Sequence, residues 1–213
     1  MKIFDKLKTI FASDDELIAR QDGTQIRLKT NEAAFALPAS VSEQSVYDAL
    51  VAYGQQAGYI NPNRKPQPVS DALLASVRNQ TVKMHEEILK CYQKSNQTPD
   101  EKLLNRLTIE NMFFLAMGTA ILAKVRQTNL IAQGFFGKLL RKSGPEFFYR
   151  EVLSMAGHKY GSQQAEDIHQ HVQRATYQLL ISFDAQHNSR TLVIECAKAM
   201  YMYGLAVTLK EKN

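Results

Sequence analysis

Two carboxylate-x-x-His pairs have the spacing that metal chemistry uses in helical proteins. Glu166 and His169 form one pair, and Asp184 and His187 form the other. Carboxylate and imidazole groups at this spacing build di-metal centres inside helical bundles. Both pairs fall on one predicted helix, however, where they are about 27 Å apart along the axis. We therefore expect no metal site here and assign these side chains to a solvated helix face.

The other histidines do not suggest a catalytic site. His169 and His171 are two positions apart, so they face different sides of a helix and cannot share one ligand. His85 is followed by Glu86, which is typical of an exposed pair. The sequence has no Gly-x-Ser-x-Gly motif and no phosphate-binding glycine loop. We expect no catalytic residue and no cofactor, and an enzyme is less favoured than a binding protein.

The two cysteines bear on the cellular compartment. Cys91 and Cys196 are far apart in sequence and have apolar neighbours on predicted helices. Such surroundings raise the pKa of a thiol, which argues against a nucleophile. Two isolated thiols are typical of a reducing compartment. The charged N-terminal segment does not resemble a secretory signal, so we expect a cytoplasmic protein.

The segment from Lys124 to Lys159 accounts for the net charge of the whole chain. It contains seven basic and two acidic residues, and the chain has a formal net charge of +5. Aromatic and aliphatic residues are interleaved with these cations, a composition that suits docking on an acidic surface. The predicted partner-binding residues are Phe135, Phe136, Lys138, Arg141, Lys142 and Arg150.

Several interpretations of segment 124–159 remain open. We favour a non-catalytic adaptor or accessory subunit that docks through it on an acidic protein. The first alternative is a peripheral protein that binds anionic lipid surfaces, and the second is a helical enzyme or metal-binding protein with an unrecognised site. A purely structural reading turns the aromatic rings into the core and leaves the cations solvated. Nucleic acid is disfavoured because there is no recognition motif, and a homo-oligomer stays open.

Two uncharged stretches, Asn111–Ala123 and Ala199–Leu209, determine the expected architecture. A bilayer core about 30 Å thick needs about 20 apolar residues in a helix, and the longer stretch would reach only about 20 Å. The stretches are thus too short to span a membrane and too apolar to face water. Small residues such as Gly118 and Gly204 within them permit close helix contact. We predict that they are the inner helices of a bundle.

Apolar periodicity predicts the remaining helices and defines the fold as mainly α, a bundle of about six or seven helices. After residue 129, glycines predict short helices and turns. Thr98-Pro99-Asp100-Glu101 predicts a capped start for the longest helix. The predicted long helices begin near Ser42, Ser70, Pro99, Ser162 and either Asn188 or Ser189. The inward face of the helix from Ser70 is predicted from apolar positions three and four residues apart: Leu74, Val77, Thr81, Met84, Ile88 and Cys91. On the helix from Ser162 the predicted inward residues are Val172, Ala175, Leu179 and then either Ile181 or Phe183.

The first forty residues differ in pattern from the rest. Residues Ile3–Phe11 predict an amphipathic helix. Asp22-Gly23, between two strand-like runs, predicts the turn of a small β-hairpin within Leu17–Thr30. We therefore divide the chain into an N-terminal appendage, 1–40, and a helical bundle domain, 41–213.

Overall fold

The fold is mainly α, as the sequence predicts. The computed structural model describes residues 15–19, 25–29, 42–63, 71–126, 133–156, 161–184 and 190–209. In the strands and at positions 72–73, 123–126, 133 and 182–184 the description covers the backbone alone. The helices in these ranges are α1 (Glu43–Gln56), α2 (Asp71–Lys94), α3 (Glu101–Arg126), α4 (Gln133–Ser143), α5 (Phe148–Ser154), α6 (Ser162–Asp184) and α7 (Arg190–Thr208).

Polar caps fix where two of the long helices begin. The Ser42 hydroxyl accepts a hydrogen bond from the Ser45 amide at 3.2 Å, so α1 starts at Glu43. The Asp100 carboxylate accepts from the Leu103 amide at 2.7 Å and caps α3. The sequence motif had placed the capping residue two positions earlier, at Thr98. Asp100 takes that position because its carboxylate satisfies an amide of the first turn.

Helix α3 is the centre of the bundle. All residues from 104 to 118 are buried, and α3 packs against α2, α5, α6 and α7. The prediction that the uncharged stretch Asn111–Ala123 forms an inner helix is therefore confirmed over its described side chains. Among the described helices, none combines the length and the apolar character that crossing a bilayer requires.

The most extensive contact between described elements joins α3 to α7, the two uncharged stretches. At Gly204 on α7, an added Cβ would overlap the Phe113 carbonyl oxygen and lie 3.0 Å from the Ala116 Cβ. A glycine also permits close contact between α1 and α7, because a Cβ on Gly54 would lie 2.8 Å from Cε2 of Tyr203. Both glycines allow close packing that any side chain would prevent.

Helix α6 packs through the predicted face with one exception. Val172, Ala175 and Leu179 are fully buried. Ile181, one of two alternatives for the next inward position, is 52% exposed. It lies two positions after Leu179, which is about 200° round the helix and so faces away from the core. The side chain of the other alternative, Phe183, is outside the described part of the chain.

The N-terminal region is described only as two short strands, β1 (Asp15–Ala19) and β2 (Gln25–Lys29), which pair antiparallel. The turn residues Asp22-Gly23 and the helix predicted at Ile3–Phe11 lie outside the described residues. The hairpin, the amphipathic helix and the division into 1–40 and 41–213 therefore stay predictions.

We predict that Gly204→Ala lowers the free energy of unfolding by about 1–3 kcal/mol, because the new methyl group must displace a backbone carbonyl of α3. This loss should appear although alanine has the higher helix propensity. Chemical denaturation of both proteins measures it.

Gly134→Ala in α4 is the matched control, because nothing lies within 4 Å of its added Cβ. We expect that variant to be unchanged or more stable by up to about 1 kcal/mol. Equal stabilities of the two variants would show that α3 and α7 are not in close contact at Gly204.

Candidate functional site

The described cations of the predicted binding segment lie on two short helices. Lys138, Arg141 and Lys142 belong to α4, Arg150 belongs to α5, and all four are exposed. Lys138 and Lys142 are one helical turn apart and so share a side of α4. The remaining cations of segment 124–159 have side chains outside the described part of the chain: Lys124, Arg126 and Lys159.

Two of these cations are bound to carboxylates of the same chain. Arg141 forms an ion pair with Glu87 of α2, and the Lys142 ammonium lies 3.2 Å from the Glu151 carboxylate. Partial burial opposes ionisation of Glu87, but hydrogen bonds from Lys90 and Arg141 outweigh it and hold the pKa of that carboxyl below its usual value. These pairs join α4 to its neighbours and leave Lys142 accessible, with 71% of its side chain exposed.

The two predicted aromatic contacts point inward to different degrees. Phe136 is only 2% exposed, so it cannot contact a partner at the surface. Its ring lies where a Cβ on Gly118 would be, at 2.5 Å, and meets Phe148 edge-on. Phe135 is half-buried and packs edge-on against Phe136. Both rings serve chiefly to hold α4 on the core, in agreement with the structural reading of this segment.

Phe147 is an aromatic residue that the sequence analysis did not single out. It is 48% exposed, and the Arg150 guanidinium lies over its ring at 4.9 Å from the centroid. The Arg150 Nε donates a hydrogen bond to the Tyr149 hydroxyl at 2.9 Å, which orients the guanidinium. We use the name basic face for the exposed residues Lys138, Arg141, Lys142, Phe147 and Arg150.

The turn that presents Phe147 is bonded to two helices, once inside the bundle and once at its surface. Asn111 of α3 donates a hydrogen bond to the Pro145 carbonyl at 3.0 Å. The Tyr92 hydroxyl of α2 donates to the Glu146 carboxylate. Gly144 begins the turn with φ +83°, a conformation that favours glycine. The exposed ring is thus held by two helices.

The Glu166-x-x-His169 pair takes part in packing. The His169 ring stacks on Tyr149 with centroids 3.7 Å apart, and the Tyr149 hydroxyl donates to Glu166 at 2.7 Å. The prediction of a solvated face is therefore wrong for His169, which is 13% exposed in its side chain. Asp184 and His187 have side chains outside the described residues. Within the described part, no three His, Cys, Asp or Glu side chains converge on a metal position.

His171 lies on the other side of α6, as the two-residue spacing predicts. It is 3% exposed and stacks on Tyr53 of α1, with centroids 4.2 Å apart. Its Nε2 shares a hydrogen bond of 2.7 Å with the Tyr203 hydroxyl of α7, and Nδ1 has no partner among the described residues. Burial, aided by the charge of Arg174, lowers the pKa of His171 to about 3. This neutral ring joins three helices and is unsuited to proton transfer near neutral pH.

Comparison with known proteins does not add to this picture. No protein-family model matches the sequence, and neither curated proteins nor solved structures include a significant match. A function for this chain is therefore inferred from the geometry of the basic face.

We predict that His171 makes the fold sensitive to mild acid. Its pKa is lower in the folded than in the unfolded chain, so the unfolded chain takes up the extra proton and stability falls as pH drops below about 6.5. His171→Gln should be less stable at neutral pH. Between about pH 6 and about pH 5 its stability should also fall less steeply than that of the wild type, by roughly 1.4 kcal/mol per pH unit.

Urea denaturation across this pH range measures both slopes. Val172→Ala is the control, because Val172 is fully buried on the same helix and does not titrate. That variant should also be destabilised, because it loses buried contacts, but the dependence of its stability on pH should equal that of the wild type. If His171→Gln also kept the wild-type dependence, the imidazole would be protonating normally within the folded protein.

Proposed function

We propose that this chain is a non-catalytic interaction protein, an adaptor or accessory subunit of a larger assembly. It binds an acidic surface of a protein partner through the basic face. The observation that supports this most is the exposed Phe147 ring beneath the Arg150 guanidinium. Aromatic and arginine side chains are the types most enriched among residues that dominate the energy of protein interfaces.

The charge of the basic face is directed outward. Among the described residues, Lys138 and Arg150 take part in no ion pair, and Lys142 keeps most of its side chain in solvent. Unpaired surface cations attract an acidic partner over about a Debye length and accelerate its association. Binding of this kind weakens as salt is raised, which provides one diagnostic of the proposal.

The geometry favours a protein partner over a lipid surface. A peripheral membrane segment must insert a sizeable apolar face among the headgroups. In α4 the apolar residues Phe136 and Leu140 are buried, and Phe135 and Leu139 are partly buried against the core. Phe147 is the large apolar side chain that this face exposes among the described residues. A single ring suits a pocket on a protein better than it suits membrane insertion.

The proposal includes a cytoplasmic location. Cys91 and Cys196 are both free thiols. Free cysteines without a disulfide are typical of proteins kept in a reducing compartment. The partner that we propose is therefore another protein of the cytoplasm.

Site-specific photo-crosslinking tests the docking site directly. The full chain would carry p-benzoylphenylalanine at position 147, or at the exposed position Ile181 as a location control, and would be irradiated in extract of its native cells. We expect a saturable crosslink from position 147 alone, to a protein whose crosslinked peptide is rich in Asp and Glu. Arg150→Glu should lower the yield by roughly tenfold, equivalent to about 1.4 kcal/mol.

Arg78→Glu is the matched control, because Arg78 is an exposed arginine on α2 outside the basic face. It should leave the crosslink unchanged. Equal capture from positions 147 and 181, or equal loss in both arginine variants, would refute docking at the basic face. Sedimentation with phosphatidylglycerol vesicles completes the test: vesicle binding that Arg150→Glu abolishes would replace the protein partner by an anionic membrane.

A further inference from the structure

A cavity of about 450 Å³ lies away from the basic face, between α2, α3 and α7. It is formed where α3 and α7 begin and where the middle of α2 passes them. This volume is within the usual range for small-molecule sites. Its inner wall includes the buried residues Thr81, Leu104 and Thr108, and its rim includes the exposed charged residues Glu86, Glu101 and Arg190. The cavity therefore has an enclosed base and a charged entrance.

His85 has a defined protonation pattern in this cavity. The Thr108 hydroxyl donates its one proton to the Leu104 carbonyl at 2.7 Å. It can therefore only accept in its contact with Nδ1 of His85, at 3.1 Å. The neutral His85 ring then carries its proton on Nδ1 and offers the lone pair of Nε2. No group of the described residues donates to Nε2, so it is available to a ligand.

Charges of both signs surround His85. Burial lowers the pKa of His85, the positive charge of Arg190 lowers it further, and the carboxylates of Glu86 and Glu101 act in the opposite direction. His85 is thus held neutral, as an acceptor, at neutral pH. The three charged side chains start from three different helices, so they border the cavity from separate sides. Two carboxylates and a lone pair suit an ammonium group, and the guanidinium suits a carboxylate.

The remaining wall is apolar, with Val82 of α2 and Val193 and Ile194 of α7 among its residues. We propose that this cavity binds a small zwitterion with an aliphatic side chain, the chemistry of a free aliphatic amino acid. The ammonium group donates to Nε2 of His85 and lies near Glu86 and Glu101. The carboxylate pairs with Arg190, and the aliphatic chain fills the apolar wall.

Three probes that share one carbon skeleton test this assignment by isothermal titration calorimetry on the full chain. They are leucine, isoamylamine, which lacks the carboxylate, and 4-methylpentanoate, which lacks the ammonium group. We expect leucine to bind with a Kd on the order of 1 mM or lower. Isoamylamine should bind roughly tenfold more weakly than leucine, and 4-methylpentanoate should not bind measurably.

The Arg190→Gln variant separates the two charges. It should weaken leucine binding by roughly tenfold and leave isoamylamine binding unchanged or slightly tighter, because of these two probes leucine alone has a carboxylate for Arg190. The side chain of Arg190 is exposed, so folding should be retained, which circular dichroism checks. The matched control is Arg78→Gln, an exposed position on α2 outside the cavity, which should bind all three probes as the wild type does.

His85→Leu completes the set, because an aliphatic side chain offers no acceptor in place of Nε2, and this variant should weaken the binding of both free leucine and isoamylamine. The proposal is overturned by any of three results: leucine fails to saturate the protein, 4-methylpentanoate binds as strongly as leucine, or Arg190→Gln binds leucine normally. None of these measurements involves the basic face, so the outcome is independent of the proposed docking function.

Discussion

The structure depends on the close contact between α3 and α7. The uncharged stretches of the two helices can bury one another fully only if their backbones approach, and Gly204 permits this beside the Phe113 carbonyl and Ala116. The close approach brings many atoms into van der Waals contact, which is the source of the core's cohesion. Helices α1 and α2 then cover α7, while α2, α5 and α6 cover the remaining sides of α3.

Enclosing α3 on all sides has a consequence for its polar residues. Arg106 and Glu110 lie inside the bundle, where they form an ion pair at 3.4 Å. Desolvation offsets much of the attraction in such a pair, so its contribution to stability is small, whereas loss of one partner would be costly. Asn111 meets the same requirement by bonding to the Pro145 carbonyl. The need to satisfy buried polar groups thus ties the central helix to the turn that presents Phe147.

The sequence predicted the long helices and the buried stretches because these depend on local pattern. Val77, Thr81, Met84 and Ile88 form a buried seam on α2 at the predicted spacing. The pattern could not predict which ring of an adjacent aromatic pair faces inward. Neighbouring positions on a helix point about 100° apart, so the two rings of an adjacent pair face different directions. Phe136 and Phe148 are buried and Phe147 is not, because the short helices α4 and α5 pack at angles that distant parts of the chain determine.

The surroundings of the histidines were also beyond prediction from local pattern. In the sequence, His85 beside Glu86 resembled an exposed pair. Its hydrogen bond to Thr108 could not be predicted, because Thr108 is far away in sequence and lies on another helix. His169 and His171 were correctly assigned to different sides of α6, but stacking on Tyr149 and Tyr53 requires tertiary contacts. Spacing along one helix determines the direction in which each side chain points, whereas its burial depends on the residues of other helices that pack against it.

The central helix also explains why two sites can be built in advance of binding. Thr108, which orients His85, and Asn111, which holds the turn of Phe147, are three residues apart on α3. Because α3 is packed on every side, neither side chain can move without disturbing the core. A rigid support reduces the conformational entropy that a ligand or partner must remove on binding. The proposed sites therefore share α3 as their scaffold, and the close packing around α3 keeps that scaffold rigid.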